Sequence, residues 1–186
     1  MKLEIWSDVV CPWCYVGKRN FETALARFPH AAEVDVVWRS YELDPSAPRE
    51  REGDYETRLS RKYGTSVDQA RAMIARVVDA GAGAGLDMRF DRQRPGNTFD
   101  AHRLLHLAGE HGLQNEVKER FLAATFTEGE PIGDPETLAR LAIDAGLPSD
   151  DVDAVLASDR YADGVRADEA EASAIGVNGV PFFVAD

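Results

Sequence analysis

The sequence predicts an α/β protein in which a small sheet is interrupted by a large helical insertion. Three observations carry this expectation. Residues 2–41 read as strand, helix, strand, the pattern of a right-handed βαβ unit with a parallel pair. Residues 49–175 then show helical start and stop signals and no convincing strand. After Gly176 the chain returns to an apolar, strand-like run. The division that follows is a sheet portion, 1–48 with 176–186, and a helical insertion subdomain, 49–175.

Taken in order, residues 2–7 form a strand with Leu3 and Ile5 on one face. Residues 12–28 place Phe21, Leu25 and Phe28 at helical spacing, and Pro29 stops the helix. Residues 34–41 are rich in β-branched and aromatic side chains and read as the second strand. Two prolines in 43–48 mark a linker out of the sheet. Asp54 to Tyr63 reads as a helix closed by Gly64, and Ser66 with Gln69 forms a capping box for a helix ending between Ala80 and Gly85. Asn97 or Thr98 caps 99–111, and 113–126 follows. Asp134-Pro135 opens a helix to Ala145, Ser149 caps a short one, and 159–175 makes the last. The Gly81–Gly85 cluster follows a helix rather than a strand and reads as a helix terminus, not a phosphate loop. Proline at position 181 sits where a strand tolerates it, at its first residue.

Cys11 and Cys14, the only cysteines, lie between the first strand and the first helix. Thiols at i and i+3 on a first helical turn can close a disulfide with little backbone movement. The unpaired amides and the positive dipole end there favour a thiolate. Pro12 suits the first helical position, where its missing N–H costs nothing. The chemistry that fits is thiol–disulfide exchange. The rival is a structural zinc site completed by His102 and His106, at i and i+4 of one helix. Packing among Leu104, Leu105 and Leu107 explains those histidines as well, and no metal is expected. Trp13, between the cysteines, is expected to be partly exposed; Trp6 and Trp38 belong to the core. Tyr15 suits core packing and a rim contact equally. Asp8 either caps the active-site loop or tunes the thiols, capping being the commoner role.

The formal net charge of −12 argues against nucleic acid or an anionic lipid surface as partner. No apolar run approaches the roughly 18 residues of a membrane span. Glu4 and Asp8 interrupt any leader-like pattern. A two-cysteine CxxC chain also suits a reducing compartment, so the expectation is a cytoplasmic protein, monomeric or homodimeric.

With the distant Gly-Val-Pro at 179–181, the CxxC and the insertion resemble the DsbA-like branch of the thioredoxin superfamily. The stretches Asp8–Tyr15, Lys62–Gly64, Asn97–Leu104 and Gly176–Val184 are similar to the FrnE-type oxidoreductases within it. The resemblance implies that Cys11 is the exposed nucleophile, Cys14 the more buried resolving thiol and Pro181 a cis-proline facing them. It implies Val180, Pro12, Trp13 and His102 as substrate-side residues. Partners would be protein or small-molecule disulfides and thiols, with no bound cofactor and glutathione as a candidate co-substrate. Kappa-class transferases and 2-hydroxychromene-2-carboxylate isomerases share the architecture but usually carry serine at the Cys11 position. A non-catalytic peptide-binding module is the third reading. Family members continue with a further strand and a closing helix, which this sequence lacks. Strand 181–185 is therefore expected at a bare sheet edge, in a chain shorter than its full-length form.

Overall fold

The computed structural model describes residues 1–186. Its elements are β1 (Lys2–Ser7), α1 (Pro12–Leu25), β2 (Asp35–Ser40), α2 (Tyr55–Tyr63), α3 (Val67–Gly83), α4 (Phe99–Glu110), α5 (Gln114–Ala123), α6 (Pro135–Asp144), α7 (Ser149–Leu156), α8 (Ala162–Ala174) and β3 (Phe182–Ala185). The three strands make one sheet in the order β2-β1-β3. β1 runs parallel to β2, with Ile5 opposite Trp38, and antiparallel to β3, with Ile5 opposite Phe183. The α/β class expected from the sequence is therefore present, with β3 at one edge.

Most helix boundaries follow the local chemistry. Asp54 accepts the Thr57 amide at 2.8 Å and Gly64, at φ 62°, closes α2. Ser66 and Gln69 form the reciprocal capping box of α3. That helix ends in a Schellman turn, Leu86 N–H to Gly81 O and Gly85 N–H to Ala82 O, so the glycine cluster is a terminus. The start of α4 is as expected, with Thr98 at the N-cap and Asn97 Oδ1 taking the Phe99 amide at 2.9 Å. Three expectations need correction. α1 stops at Leu25, because a turn at 26–28 hands the chain to a short 3₁₀ segment. Pro148 rather than Ser149 precedes α7. α8 begins at Ala162, after Tyr161 in a left-handed conformation.

After Ala123, α5 widens into a π-helical turn, Ala124–Glu128. The widening frees the Phe126 carbonyl to accept the Arg89 amide, at 2.6 Å, and Thr127 to bond the Asp87 carbonyl, at 2.8 Å. The loop after α3 is thereby fixed against the end of α5.

Four apolar compartments hold these parts. The largest joins α4, α5, α6 and α7 around Leu104, Leu107, Phe121, Leu138, Leu141 and Val152, and Val9 from the loop after β1 is buried in it. A second packs Tyr15 and Val16 of α1 on Val77, Met88, Leu122 and Phe126. Two smaller ones lie on the sheet, Leu3 with Ile5 and Trp38, and Trp6 with Ala172 and Val177. Trp6 and Trp38 are thus core residues, as the strand pattern indicates. Tyr15 is core too, and its hydroxyl donates to Glu119 at 2.9 Å. Glu119 also accepts Lys18 Nζ at 2.7 Å, tying α1 to α5.

Hydrogen bonds cross from the helices to the sheet. The Gln114 amide pairs with both the N–H and the C=O of Trp38, at 2.9 and 3.0 Å. Asp168 accepts the Ser40 amide at 2.9 Å. These side chains occupy backbone groups of β2 that β1 does not use.

Candidate active site

Cys11 is the N-cap residue of α1, in extended conformation, and Pro12 is its first helical residue. The Cys14 amide donates to the Cys11 carbonyl at 3.1 Å, which folds the two cysteines onto one turn. Both thiols are free and buried. The Cys11 thiol reaches across to the Val180 carbonyl, 3.4 Å away, and the Val180–Pro181 peptide is cis. The sequence separates these groups by 169 residues; the fold brings them together. Gly17 lets α1 approach so closely, since a Cβ there would stand 2.9 Å from Pro181 Cγ.

The two thiols are unequal. The Cys14 S–H beside Cys11, together with the Cys14 and Trp13 amides, holds the Cys11 thiol below its ordinary value, against burial and the Asp8 charge. Burial and the neighbouring Cys11 push Cys14 well above that value. Of the two, Cys11 is the thiol that ionises first and Cys14 the one that keeps its proton.

Beneath the thiols lies a buried polar floor. Asp8 is fully buried, accepting the Leu43 amide at 2.8 Å and facing His102 Nε2 at 3.3 Å. Burial alone would raise its carboxyl, but the His102 and Leu43 hydrogen bonds and the Lys118 charge carry it below the usual carboxylate value. Its side chain thus serves the floor and not a helix cap. Lys118 of α5 is also fully buried, with Nζ 3.3 Å from the Ser7 carbonyl and 5.7 Å from the centre of the Trp38 ring. Burial lowers its ammonium to about 8, although both cysteines and Asp8 favour the charge.

Of the residues expected on the substrate side, Trp13 is half exposed, and Pro12 and Val180 are partly so. His102 is not on that side. It is fully buried under the turn against Asp8, so it belongs to the floor and cannot reach a bound substrate. His106 turns away to Asp168 and Ser40, each at 3.2 Å, so the two histidines serve different carboxylates. The neighbouring Arg103 is a clamp, taking the Arg160, Val155 and Ser158 carbonyls and Asp100.

Sequence reasoning missed Lys118 and Tyr55. Lys118 had a signal. It falls in the buried stripe Lys118, Phe121, Leu122, Thr125, at the i, i+3, i+4, i+7 spacing of an apolar face. Tyr55 opens α2 and lies near enough to Cys11 that burial and the thiolate charge together push its phenol up. Nothing local marks Tyr55.

A helix-tip dithiol facing a proline loop on this sheet is the arrangement of a thioredoxin-like protein. The chain belongs to the family described as the DSBA-like thioredoxin domain, whose model matches residues 2–186. A probable DsbA oxidoreductase of Streptomyces coelicolor, SCO1869, is 48% identical in sequence, with a TM-score of 0.92 over 99% of this chain and 80% of that one. The Bacillus subtilis (strain 168) protein YwbO, described as uncharacterized, is 28% identical over 162 residues, covering 87% of this chain and 74% of its own. The cytosolic disulfide reductase DsbM of Pseudomonas aeruginosa, solved with GSH, shares the fold at a TM-score of 0.70 and 16% identity, over 100% of this chain and 86% of that one.

Proposed function

We propose that the protein is a thiol–disulfide oxidoreductase of the FrnE-type branch of this family, working through Cys11 and Cys14. The observation that carries the reading is the opposed acidity of two thiols on one helical turn, the lower one directed at the Val180 carbonyl. The Cys11 thiolate attacks a sulfur of a substrate disulfide. A mixed disulfide forms on Cys11, and the substrate's other sulfur leaves as a thiolate that takes a proton from water. Cys14 then attacks the Cys11 sulfur, and its proton passes to the departing substrate sulfur. The Cys11–Cys14 disulfide closes, and the second substrate sulfur departs reduced.

An external thiol resets the pair, and glutathione has the chemistry for that role. Run in reverse, the same steps oxidise a substrate dithiol. Pro181 and Val180 line the approach to Cys11, where the Val180 backbone can pair with an extended peptide. Trp13 and Pro12 offer an apolar rim. A protein or small-molecule disulfide is the substrate class. No helix is long and apolar enough to cross a membrane, and a single CxxC pair suits a reducing compartment; the reading places the activity in the cytoplasm.

Insulin reduction with a thiol donor tests this. Cys11→Ser is expected to abolish activity. Cys14→Ser is expected to stop turnover and accumulate a mixed disulfide on Cys11, visible by mass spectrometry. Activity surviving in Cys11→Ser, or a mixed disulfide mapped to Cys14 in the wild type, would contradict it.

A further inference from the structure

The Lys62–Tyr63–Gly64 stretch takes no part in the chemistry of the thiols, yet it ends the helix that flanks them. A chain of aromatic rings connects α2 to the redox turn. Tyr15, next after Cys14, packs on Phe126 with ring centres 6.1 Å apart, Phe126 on Phe90 at 6.0 Å, and Phe90 on Tyr55 at 4.8 Å. Tyr55 lies close enough to Cys11 and to Tyr63 for the charge of each to press on its phenol. Tyr55, Leu59 and Tyr63, at i, i+4 and i+8, share one face of α2. That face runs outward from the Cys11 side to an exposed tyrosine.

Cations line the same strip. The Arg58 guanidinium stands 5.6 Å from the centre of the Tyr55 ring, and Lys62 Nζ 5.7 Å from that of Tyr63. Arg58, Arg61 and Lys62 form no ion pair, in a chain with 33 acidic side chains against 21 Lys and Arg. The acids at the start of α2 are engaged elsewhere. Glu56 bonds Arg71 of α3 at 2.7 Å, and Asp54 caps the helix through Thr57. Arg58 donates through Nη1 to the Glu52 and Gly53 carbonyls and has no partner for Nη2. The helix dipole favours Arg61 and Lys62 in the last turn, but it does not account for Arg58 or for the exposed Tyr63. A net charge of −12 repels anions at long range, so this strip reverses the field beside the thiols.

We infer that this face of α2 docks an acidic peptide segment flanking the substrate disulfide, Arg61 and Lys62 taking its carboxylates and Tyr63 its apolar part. The inference deepens the proposed function and rests on Cys11 being the attacking thiol. Arg61 and Lys62 stand six and seven residues past Tyr55, about 9–11 Å along the helix at 1.5 Å per residue. An extended peptide covers that distance in about three residues. A protein segment therefore fits the strip better than glutathione disulfide, whose carboxylates each lie within one residue of a cysteine.

Reduced protein is mixed, in a single turnover, with peptides whose one cysteine carries thionitrobenzoate. The peptides differ only in having Glu, Gln or Lys at the positions flanking that cysteine. The Cys11 thiolate attacks the peptide sulfur, and thionitrobenzoate leaves as a coloured thiolate that reports the rate. At low ionic strength the glutamate peptide is expected to react about tenfold faster than the glutamine one, with the lysine one slowest, and added salt is expected to close the spread. The net charge alone would make the lysine peptide fastest, so the sign of the order discriminates. Arg61→Glu with Lys62→Glu is expected to reverse the order and leave the glutamine peptide at its wild-type rate. Arg27→Glu, in the exposed turn after α1, is expected to preserve the order. Rates independent of peptide charge, or an order the double reversal leaves unchanged, overturn the inference and leave the thiol chemistry standing. No release from the glutamine peptide would instead remove that chemistry, and the inference with it. If the double reversal slows reduction of glutathione disulfide as much as that of the glutamate peptide, the strip serves glutathione and the peptide assignment falls. Should the double variant fail to fold, wild-type rates against salt decide: a glutamate advantage that salt removes supports the inference, and a lysine advantage overturns it.

Discussion

Lys118 shows what the site costs at the scale of one residue. A lysine brought from the ordinary 10.5 to about 8 loses about 3 kcal/mol of stability when charged, at roughly 1.4 kcal/mol per pKa unit. The folded value is the depressed one, so the unfolded chain binds more protons between those limits. The penalty is therefore full below pH 8 and fades as the pH rises to about 10.5. Lys118→Met is expected to raise the unfolding free energy at pH 7 by about 2–3 kcal/mol, after allowing for the Ser7 carbonyl left without its donor. The gain should shrink above pH 8. Denaturant unfolding across that range checks it, and a variant less stable than the wild type at pH 7 would contradict it. The charge faces Asp8 and both sulfurs, where it helps hold negative charge in a buried floor.

At the scale of elements, the decisive contact is α1 against the loop before β3. Glycine inside a helix normally gives up about 1 kcal/mol relative to alanine, so Gly17→Ala would stabilise an isolated α1. Here the added methyl would stand 2.9 Å from Pro181 Cγ, and the proline ring cannot bend away. The loop must move, carrying the Val180 carbonyl off Cys11. Gly17→Ala is expected to lower insulin-reduction activity between about tenfold and a hundredfold, the range a displacement of about 1 Å produces at a reacting centre, while the protein stays folded by circular dichroism. Full activity would contradict the role of this contact. The same scale explains what the sequence revealed. Strands, caps and glycine stops are local, so β1, β2, α2 and α3 were legible from residues such as Asp54, Gly64 and Ser66. The ends of α1 and α8 and the π turn at Ala124–Glu128 depend on partners elsewhere. Phe126 is released from regular helix by the Arg89 amide, which lies 37 positions away, and no window around Phe126 contains that information.

At the scale of the whole molecule, the site is assembled from both parts of the chain. Cys11, Cys14, Pro181 and Val180 come from the sheet portion and carry the motif, so they could be named from the sequence. The floor could not. Asp8 and Leu43 come from the sheet portion, whereas His102 and Lys118 come from the helical segment. Only the closed fold brings them under the thiols. His102 was recognisable as part of a motif, but its burial places it below the turn. The acidity of the two cysteines, which stand three residues apart in one local sequence, is thus a property of the folded chain. Alkylation of the reduced protein over a range of pH, mapped by mass spectrometry, tests this most directly. The account predicts that native Cys11 reacts with a midpoint below the roughly 8.5 of a free cysteine while Cys14 is protected, and that denaturant makes the two alike. Equal reactivity of both thiols in the native protein, with a midpoint at or above the free value, would contradict it.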